Sequence, residues 1–284
     1  MTLQQALLSA ARQLAADPQL SDFARRDAES LMLHTAGISR AALLSDPTRE
    51  LTPEQLRRYE TFINRRLRHE PLQYITGMQE FYGLPFRVTR DVLIPRPETE
   101  HLVEAVLERL PHDQPVTIAD IGTGSGAIAI ALAAHLPHAS LTALDLSAAA
   151  LEVAQANAEA LNVSNLIRFS VSNLLDALPA QQRREHFDAI VSNPPYVPTA
   201  DAAALHPQVR DYEPASALFA GADGLDVYRK LIPQAHEALK PGGLLALEIG
   251  HGQSKAIAIL LNRWHDIDFV NDLQSIPRIA LARR

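Results

Sequence analysis

The 284-residue chain predicts an α/β fold: a mostly parallel sheet with helices on both faces, preceded by a small helical domain and a β-hairpin connector. Three observations lead there. The first 70 residues carry helical periodicity and little else. Beyond residue 115, short apolar runs of strand length alternate with helical stretches, the pattern of a sheet built from crossover units. The first of those runs ends in a glycine-rich loop that opens directly into a helix. Hydrophobic residues make up 47% and charged residues 21%, enough apolar material for a sizeable core. The expected boundaries are 1–75 for the helical domain, 76–110 for the hairpin connector and a linking helix, and 111–284 for the sheet domain.

In the first region, Leu3, Leu7, Ala11 and Leu14 recur at helical spacing until Asp17-Pro18. From about Asp22, Ala24, Ala28, Leu31 and Met32 share a second helical face that Gly37 stops. Thr52-Pro53-Glu54-Gln55 is a helix start, with a capping threonine, a proline in the first turn and a glutamine placed to complete a capping box. Phe81–Val88 followed by Val92–Ile94 reads as the hairpin, with its turn near Arg90-Asp91, and prolines 85, 95 and 97 keep it out of a sheet interior. Strands are then expected at Val116–Ile121, Leu141–Leu144, Ile167–Val171, Phe187–Val191, Leu244–Ile249 and near Ile267–Val270 and Ile279–Ala282. Helices are expected at Ala127–Ala134, Ala148–Leu161, Val227–Leu239 and Ser254–Trp264.

Composition excludes several classes. No window approaches the roughly 18 consecutive apolar residues of a membrane span. Met1–Ala16 lacks the basic start and apolar middle of a signal peptide, so a cytoplasmic location is expected. Cysteine is absent, which removes disulfides, thiolate metal sites and cysteine nucleophiles. His135 and His138 flank Pro137 with no carboxylate nearby, and no metal site is expected there. Residues 1–85 hold ten basic and ten acidic side chains, so the net charge of −7 arises wholly in the remainder. A protein that grips nucleic-acid phosphates carries a basic face. Here the only basic cluster is Arg57, Arg58, Arg65, Arg66 and Arg68, which reads as a solvated helix face or a docking surface for an acidic or RNA-bound partner.

Two constellations carry the chemistry. Strand Val116–Ile121 runs into Gly122-Thr123-Gly124-Ser125-Gly126, and Asp145 ends the next strand, where a carboxylate can accept the hydroxyls of a ribose. That pair points to an adenosine-containing ligand and leaves NAD and S-adenosylmethionine both open. The second constellation is Asn193-Pro194-Pro195-Tyr196 at the carboxyl end of strand Phe187–Val191. A planar amide or aromatic amine attacks a methyl group poorly because its lone pair is delocalised. The Asn193 side-chain oxygen and the Pro194 carbonyl are suited to accept its N–H groups and stabilise the positive charge that develops on nitrogen. Tyr196 is placed to pack over the planar group and align it. A dehydrogenase would leave Asn193–Tyr196 without a task. Glu248, near a strand end, is expected beside the cofactor or in a salt bridge, and Glu98 and Glu100 in capping, linker packing or substrate contact.

Together these motifs resemble the class I S-adenosylmethionine-dependent amino-methyltransferases, and nearly end to end the chain resembles the peptide chain release factor glutamine methyltransferases. The further matches are Gln73–Gly77, Phe81-Tyr82-Gly83, Ile94–Glu100, Tyr212-Glu213-Pro214, Asp223-Gly224-Leu225 and Glu248-Ile249-Gly250. Asn-Pro-Pro-Tyr alone is shared with DNA adenine methyltransferases, so the leading alternative is a DNA or RNA adenine-N6 methyltransferase. The resemblance implies a seven-stranded, Rossmann-like class I methyltransferase sheet. It further implies methylation of the side-chain nitrogen N5 of the glutamine in a release factor's Gly-Gly-Gln motif, by a monomer with no stable nucleic-acid or membrane partner. In that picture Gly122, Thr123, Gly124, Ser125 and Gly126 line the methionine part of the cofactor, Asp145 holds its ribose, and Asn173 and Leu174 flank the adenine. Relatives often carry an acidic residue at that adenine position. Asn193 also borders the cofactor. Asn193, Pro194, Pro195 and Tyr196 bind the glutamine, and the N-terminal helices dock the protein substrate.

Overall fold

A computed structural model describes residues 1–284, which divide into two compact units, one formed by Met1–Gly77 with His206–Tyr212 and the other by Met78–Leu205 with Glu213–Arg284. The connector expected at 76–110 therefore lies, apart from its first two residues, inside the second unit.

The first unit contains α1 (Leu3–Ala15), α2 (Ala24–Ala36), α3 (Arg40–Ser45), α4 (Pro53–Arg66) and α5 (Leu72–Thr76). Thr52 caps α4, its hydroxyl accepting from Gln55 N at 3.1 Å while the Gln55 side chain accepts from Thr52 N at 3.1 Å. Thr2 and Gln5 repeat the device at α1. Leu3, Leu14, Leu31, Met32 and Ile63 close the core, and the buried Tyr59 hydroxyl donates to the Ala28 carbonyl at 3.0 Å. α3 and α5, of six and five residues, are too short to show a periodicity and escape the sequence reading. The arginine cluster divides: Arg66 is buried and donates to Asp27 at 2.8 Å, and Arg65 donates twice to Glu70. Arg57, Arg58 and Arg68 are exposed. The segment 206–212 joins this unit because Arg66 donates to Gln208 at 3.2 Å and the Tyr212 hydroxyl to the Arg68 carbonyl at 2.6 Å.

The second unit opens with a hairpin one element earlier than expected. β1 (Met78–Phe81) pairs antiparallel with β2 (Leu84–Arg87), so Phe81–Val88 is not one strand and the turn is Tyr82-Gly83, not Arg90-Asp91. Both turn residues have positive φ, 51° and 71°, as a two-residue hairpin of this hand requires. Tyrosine is a poor advertisement for that conformation. It is held there by Glu100, which accepts the Tyr82 N–H at 2.9 Å. α6 (Pro97–Leu107) is the linking helix. There follow β3 (Val116–Ile121), α7 (Ala127–His135), β4 (Ala139–Asp145), α8 (Ala148–Ala160), β5 (Ile167–Val171) and β6 (Phe187–Ser192). The chain then runs through α9 (Pro207–Arg210), which belongs to the first unit, to α10 (Asp226–Ala238), β7 (Leu239–Glu248), α11 (Ser254–Leu260), β8 (His265–Asn271) and β9 (Pro277–Arg283).

The seven strands order as β5-β4-β3-β6-β7-β9-β8 and run in one direction except β9, which is antiparallel to both of its neighbours, β7 and β8. β3 and β6 are neighbours although β4 and β5 intervene in sequence, so strand order reverses between them. In such sheets ligands bind where the order reverses, beyond the carboxyl ends of the strands. Two apolar clusters cover the faces, one including Ile118, Ile130 and Leu141, the other Ile190, Tyr228 and Leu247. β7 begins earlier than expected because Pro241-Gly242-Gly243 lies inside it, opposite a register shift between Phe187 and Ala189. No helix is long and apolar enough to cross a membrane.

Candidate active site

Beyond the carboxyl ends of β3, β4 and β6 lies a cavity of about 430 Å³, within the usual range for a small-ligand site. Gly122, Gly124, Asp145, Asn173, Leu174, Asn193 and Pro195 line it, with Leu146 and Val92 adding apolar surface. A smaller space of about 50 Å³ shares Gly122, Gly124 and Asn193 and adds Thr123, Ser125 and Thr99.

The glycine loop is folded onto its own sheet. The N–H groups of Gly122 and Thr123 both donate to the Leu144 carbonyl, at 2.7 and 3.0 Å, and Gly126 N donates to the Thr123 carbonyl at 2.8 Å. Gly124 N donates to Asp145 Oδ2 at 2.8 Å, and Ser147 N to Asp145 Oδ1 at 2.9 Å. A pyrophosphate would need those N–H groups, and they are already engaged. The helix start beneath is occupied as well. Asp120, fully buried, takes the Thr123 hydroxyl at 2.6 Å and Ala129 N at 3.2 Å, while its other oxygen has no partner. Burial pushes its pKa up to about 7, against the pull of Thr123 and Ala129, and neighbouring Asp145 adds to the rise. Two carboxyl groups at this loop favour a cationic ligand over an anionic one.

Those features fit S-adenosylmethionine. A Cβ built on Gly122 or Gly124 meets nothing within 4 Å, so the loop borders open space. Asp145 uses two of its roughly four acceptor positions on backbone N–H groups, which leaves positions for hydroxyl donors. Leu146 and Leu174 offer apolar surface to a planar base.

The opposite wall is built from side chains of distant segments. Asn193 Nδ2 donates to the Thr99 hydroxyl at 3.1 Å, and that hydroxyl donates to Glu248 Oε2 at 2.6 Å. Thr99 and Glu248 are 4% and 2% exposed, so nothing in bulk water competes for these bonds. The Tyr196 hydroxyl lies 3.4 Å from Glu248 Oε1. Burial raises the Tyr196 pKa, and the Glu248 charge adds to the rise. Burial also lifts Glu248, to about 7. The Tyr196 carbonyl accepts from Gln253 Nε2 at 3.1 Å. A side chain at Gly224 would place its Cβ 2.2 Å from that carbonyl, and one at Gly250 would place its Cβ 3.0 Å from the Tyr196 ring. Ahead of Thr99, Ile94 N and the Arg96 guanidinium both donate to the buried Glu213.

Of the residues singled out from sequence, Gly122, Gly124, Asp145, Asn173, Leu174, Asn193 and Pro195 meet at the larger cavity, and Thr123 and Ser125 at the smaller. Gly126, Pro194 and Tyr196 line neither. Gly126 abuts Ile130 and Ala154, where its missing side chain lets two helices approach. Pro194 is buried, and Tyr196 packs against the β7 side of the core. The Glu248 carboxylate meets the Thr99 and Tyr196 hydroxyls and has no cation at salt-bridge distance, and Glu100 serves the hairpin turn. Thr99 escaped the sequence reading, as did Asn157, whose side chain bonds both the N–H and carbonyl of Arg87 and the Ser125 carbonyl, tying hairpin to glycine loop. A polar residue at helical spacing among apolar ones, Thr99 with Leu102 and Val103 and Asn157 with Val153 and Ala154, is the available signal for each. No group of His, Asp or Glu side chains is placed to hold a metal ion.

Residues 5–77 match the family described as PrmC N-terminal domain, and residues 99–208 the family described as Methyltransferase small domain. The Release factor glutamine methyltransferase of Koribacter versatilis is 46% identical over 100% of this chain and 99% of its own length. That of Moorella thermoacetica is 49% identical over 90% of this chain and 88% of its own. Among solved structures, the hMettl16 catalytic domain in complex with MAT2A 3'UTR hairpin 6 aligns with a TM-score of 0.56 at 18% identity, covering 80% of this chain and 81% of that one. At that identity the likeness concerns the fold.

Proposed function

The chain belongs to the release factor glutamine methyltransferase family, and from that premise we propose that it methylates the side-chain amide nitrogen of the glutamine in the Gly-Gly-Gln motif of a peptide chain release factor, with S-adenosylmethionine as donor. The observation that carries the reading is the cavity itself: a loop suited to a cationic adenosine ligand on one wall and the Asn193 amide, fixed by Thr99, on the other. When bound, S-adenosylmethionine supplies an electrophilic methyl group on a positively charged sulfur.

The chain's own residues do the rest. Gly122 and Gly124 leave room for the donor's methionine part, Thr123 and Ser125 border it, Asp145 accepts the ribose hydroxyls, and Asn173 and Leu174 flank the base. Asn193 Oδ1 and the Pro194 carbonyl accept the two N–H groups of the incoming amide. Each such bond strengthens as positive charge grows on nitrogen, which is where a preorganised acceptor lowers the barrier. Pro194 and Pro195 fix the backbone that carries those acceptors. Tyr196 anchors the segment through its ring, carbonyl and hydroxyl. Nitrogen loses its proton to water after the C–N bond has formed and the C–S bond has broken, so no side chain is assigned as general base. The helical unit is assigned to docking the release factor. A DNA or RNA adenine is disfavoured by the net charge of −7.

The test is transfer of isotope-labelled methyl from S-adenosylmethionine to a purified bacterial release factor, with DNA and RNA as parallel acceptors. Label on the release factor alone is expected. Label on nucleic acid would overturn the acceptor and keep the donor.

A further inference from the structure

Asn193 performs the proposed task only in one of its two orientations. Its oxygen must face the acceptor and its NH2 group must face away. An amide held by packing alone gains little from either choice, because the two ends are nearly the same size. Some polar partner has to decide, and the partner present is Thr99.

The Thr99 hydroxyl has one proton to give and lone pairs to receive with. At 2.6 Å from Glu248 Oε2 it gives that proton to the carboxylate, a short charge-assisted bond. Only lone pairs then remain toward Asn193, and they accept from Nδ2 at 3.1 Å. We propose that Thr99 and Glu248 are positioning residues: the ionised Glu248 carboxylate fixes the direction of the chain Asn193 NH2 → Thr99 O–H → Glu248, so that Asn193 turns its oxygen to the amide being methylated. This deepens the reading given above and rests on it.

The same chain can be reversed. A protonated Glu248 has an O–H to give, Thr99 receives it and passes its own proton toward Asn193, and the asparagine is then satisfied only with its oxygen facing Thr99. The NH2 group would meet the acceptor's N–H groups, donor against donor. The groups around Glu248 set where this happens. Burial raises its pKa to about 7, Thr99 opposes the rise, Glu98 on α6 adds to it, and Arg278 on β9 and the Tyr196 hydroxyl oppose it. On α10, the Tyr228 hydroxyl donates to the Glu248 backbone carbonyl at 2.7 Å and leaves the carboxylate to the others. Methyl transfer is therefore expected to rise as pH increases through about 7.

Three variants test this: Thr99→Val, which keeps the shape and removes the hydroxyl; Thr99→Ser, which restores the hydroxyl; and Glu248→Gln, which removes the titration. Each is assayed for turnover against pH on a release factor, for S-adenosylmethionine affinity by calorimetry, and for thermal melting. Thr99→Val is expected to lower kcat by about 10- to 100-fold, less than outright loss of a transition-state acceptor, with cofactor affinity close to wild type. Thr99→Ser should recover most of that loss. Glu248→Gln should lower kcat and abolish the rise through neutral pH. A Thr99→Val protein that keeps wild-type kcat and pH profile overturns the proposal, as does Thr99→Ser performing no better than valine. A Glu248→Gln protein that retains the wild-type pH profile overturns it too, and that variant answers the question should valine prevent folding. A wild-type protein that binds S-adenosylmethionine and leaves the release factor unmodified instead overturns the reading beneath it.

Discussion

The two walls of the cavity are built by different means. The donor wall is mostly backbone: five consecutive residues after β3 turn back on Leu144 and Asp145 at the end of β4, and the Asn157 side chain on α8 holds the Ser125 carbonyl, all within the continuous stretch from β3 to α8. The acceptor wall is nearly all side chain. Asn193 reaches Thr99 across 94 positions, Thr99 reaches Glu248 across 149, and Gln253 reaches Tyr196 across 57. A wall made of local backbone forms whenever the sheet forms. A wall made of long-range side-chain bonds forms only when three separate segments, around Thr99, Asn193–Tyr196 and Glu248–Gln253, have docked, and it loses its geometry when any one of them shifts. Loss of donor binding and loss of transfer should therefore be separable by mutation.

The sharpest separation is expected at Asn193. Asn193→Ala should lower kcat by about 10²–10³-fold, the usual cost of one transition-state hydrogen-bonding group, while calorimetry finds S-adenosylmethionine affinity far less changed. Parallel losses in both would break the division into two walls. Asp145→Ala is the mirror experiment. Removing a carboxylate that receives hydroxyl donors should weaken cofactor binding by about 10- to 100-fold, with kcat at saturating cofactor much closer to wild type. Next comes Gly224→Ala, which touches neither ligand. Its Cβ would overlap the Tyr196 carbonyl at a backbone φ of 75°, so a stability loss of about 1–3 kcal/mol is expected in thermal melts, together with a fall in kcat that spares cofactor affinity. Smallest is Thr52→Ala, in the helical unit. Losing that cap should cost about 1 kcal/mol and leave cofactor binding untouched.

The same contrast explains how much could be read from the residues alone. The strands β3 and β5 were legible to the residue, and the glycine loop and Asp145 could be placed because a strand, a tight turn and a helix are written contiguously. Asn193 and its prolines were legible for the same reason. The motifs at Ile94–Glu100, Asp223–Leu225 and Glu248–Gly250 were visible as resemblances without a physical task, because their tasks are toward one another. Arg96 serves Glu213, Thr99 serves Glu248, and Gly224 and Gly250 make room for Tyr196. No spacing in a sequence announces a pairing across 149 positions. The hairpin was misread for a related reason: Tyr82 holds positive φ because Glu100, eighteen residues on, captures its N–H.

The most direct test of the acceptor wall is to map the transferred methyl group by fragmentation mass spectrometry on a release factor methylated by this enzyme, beside a release factor whose motif glutamine is alanine. A single methyl on the side-chain nitrogen of that glutamine, absent from the alanine protein, is the result predicted here. Methyl found on a lysine or arginine side chain, or transferred equally to the alanine protein, would contradict the assignment of Asn193 and Pro194 to a planar amide.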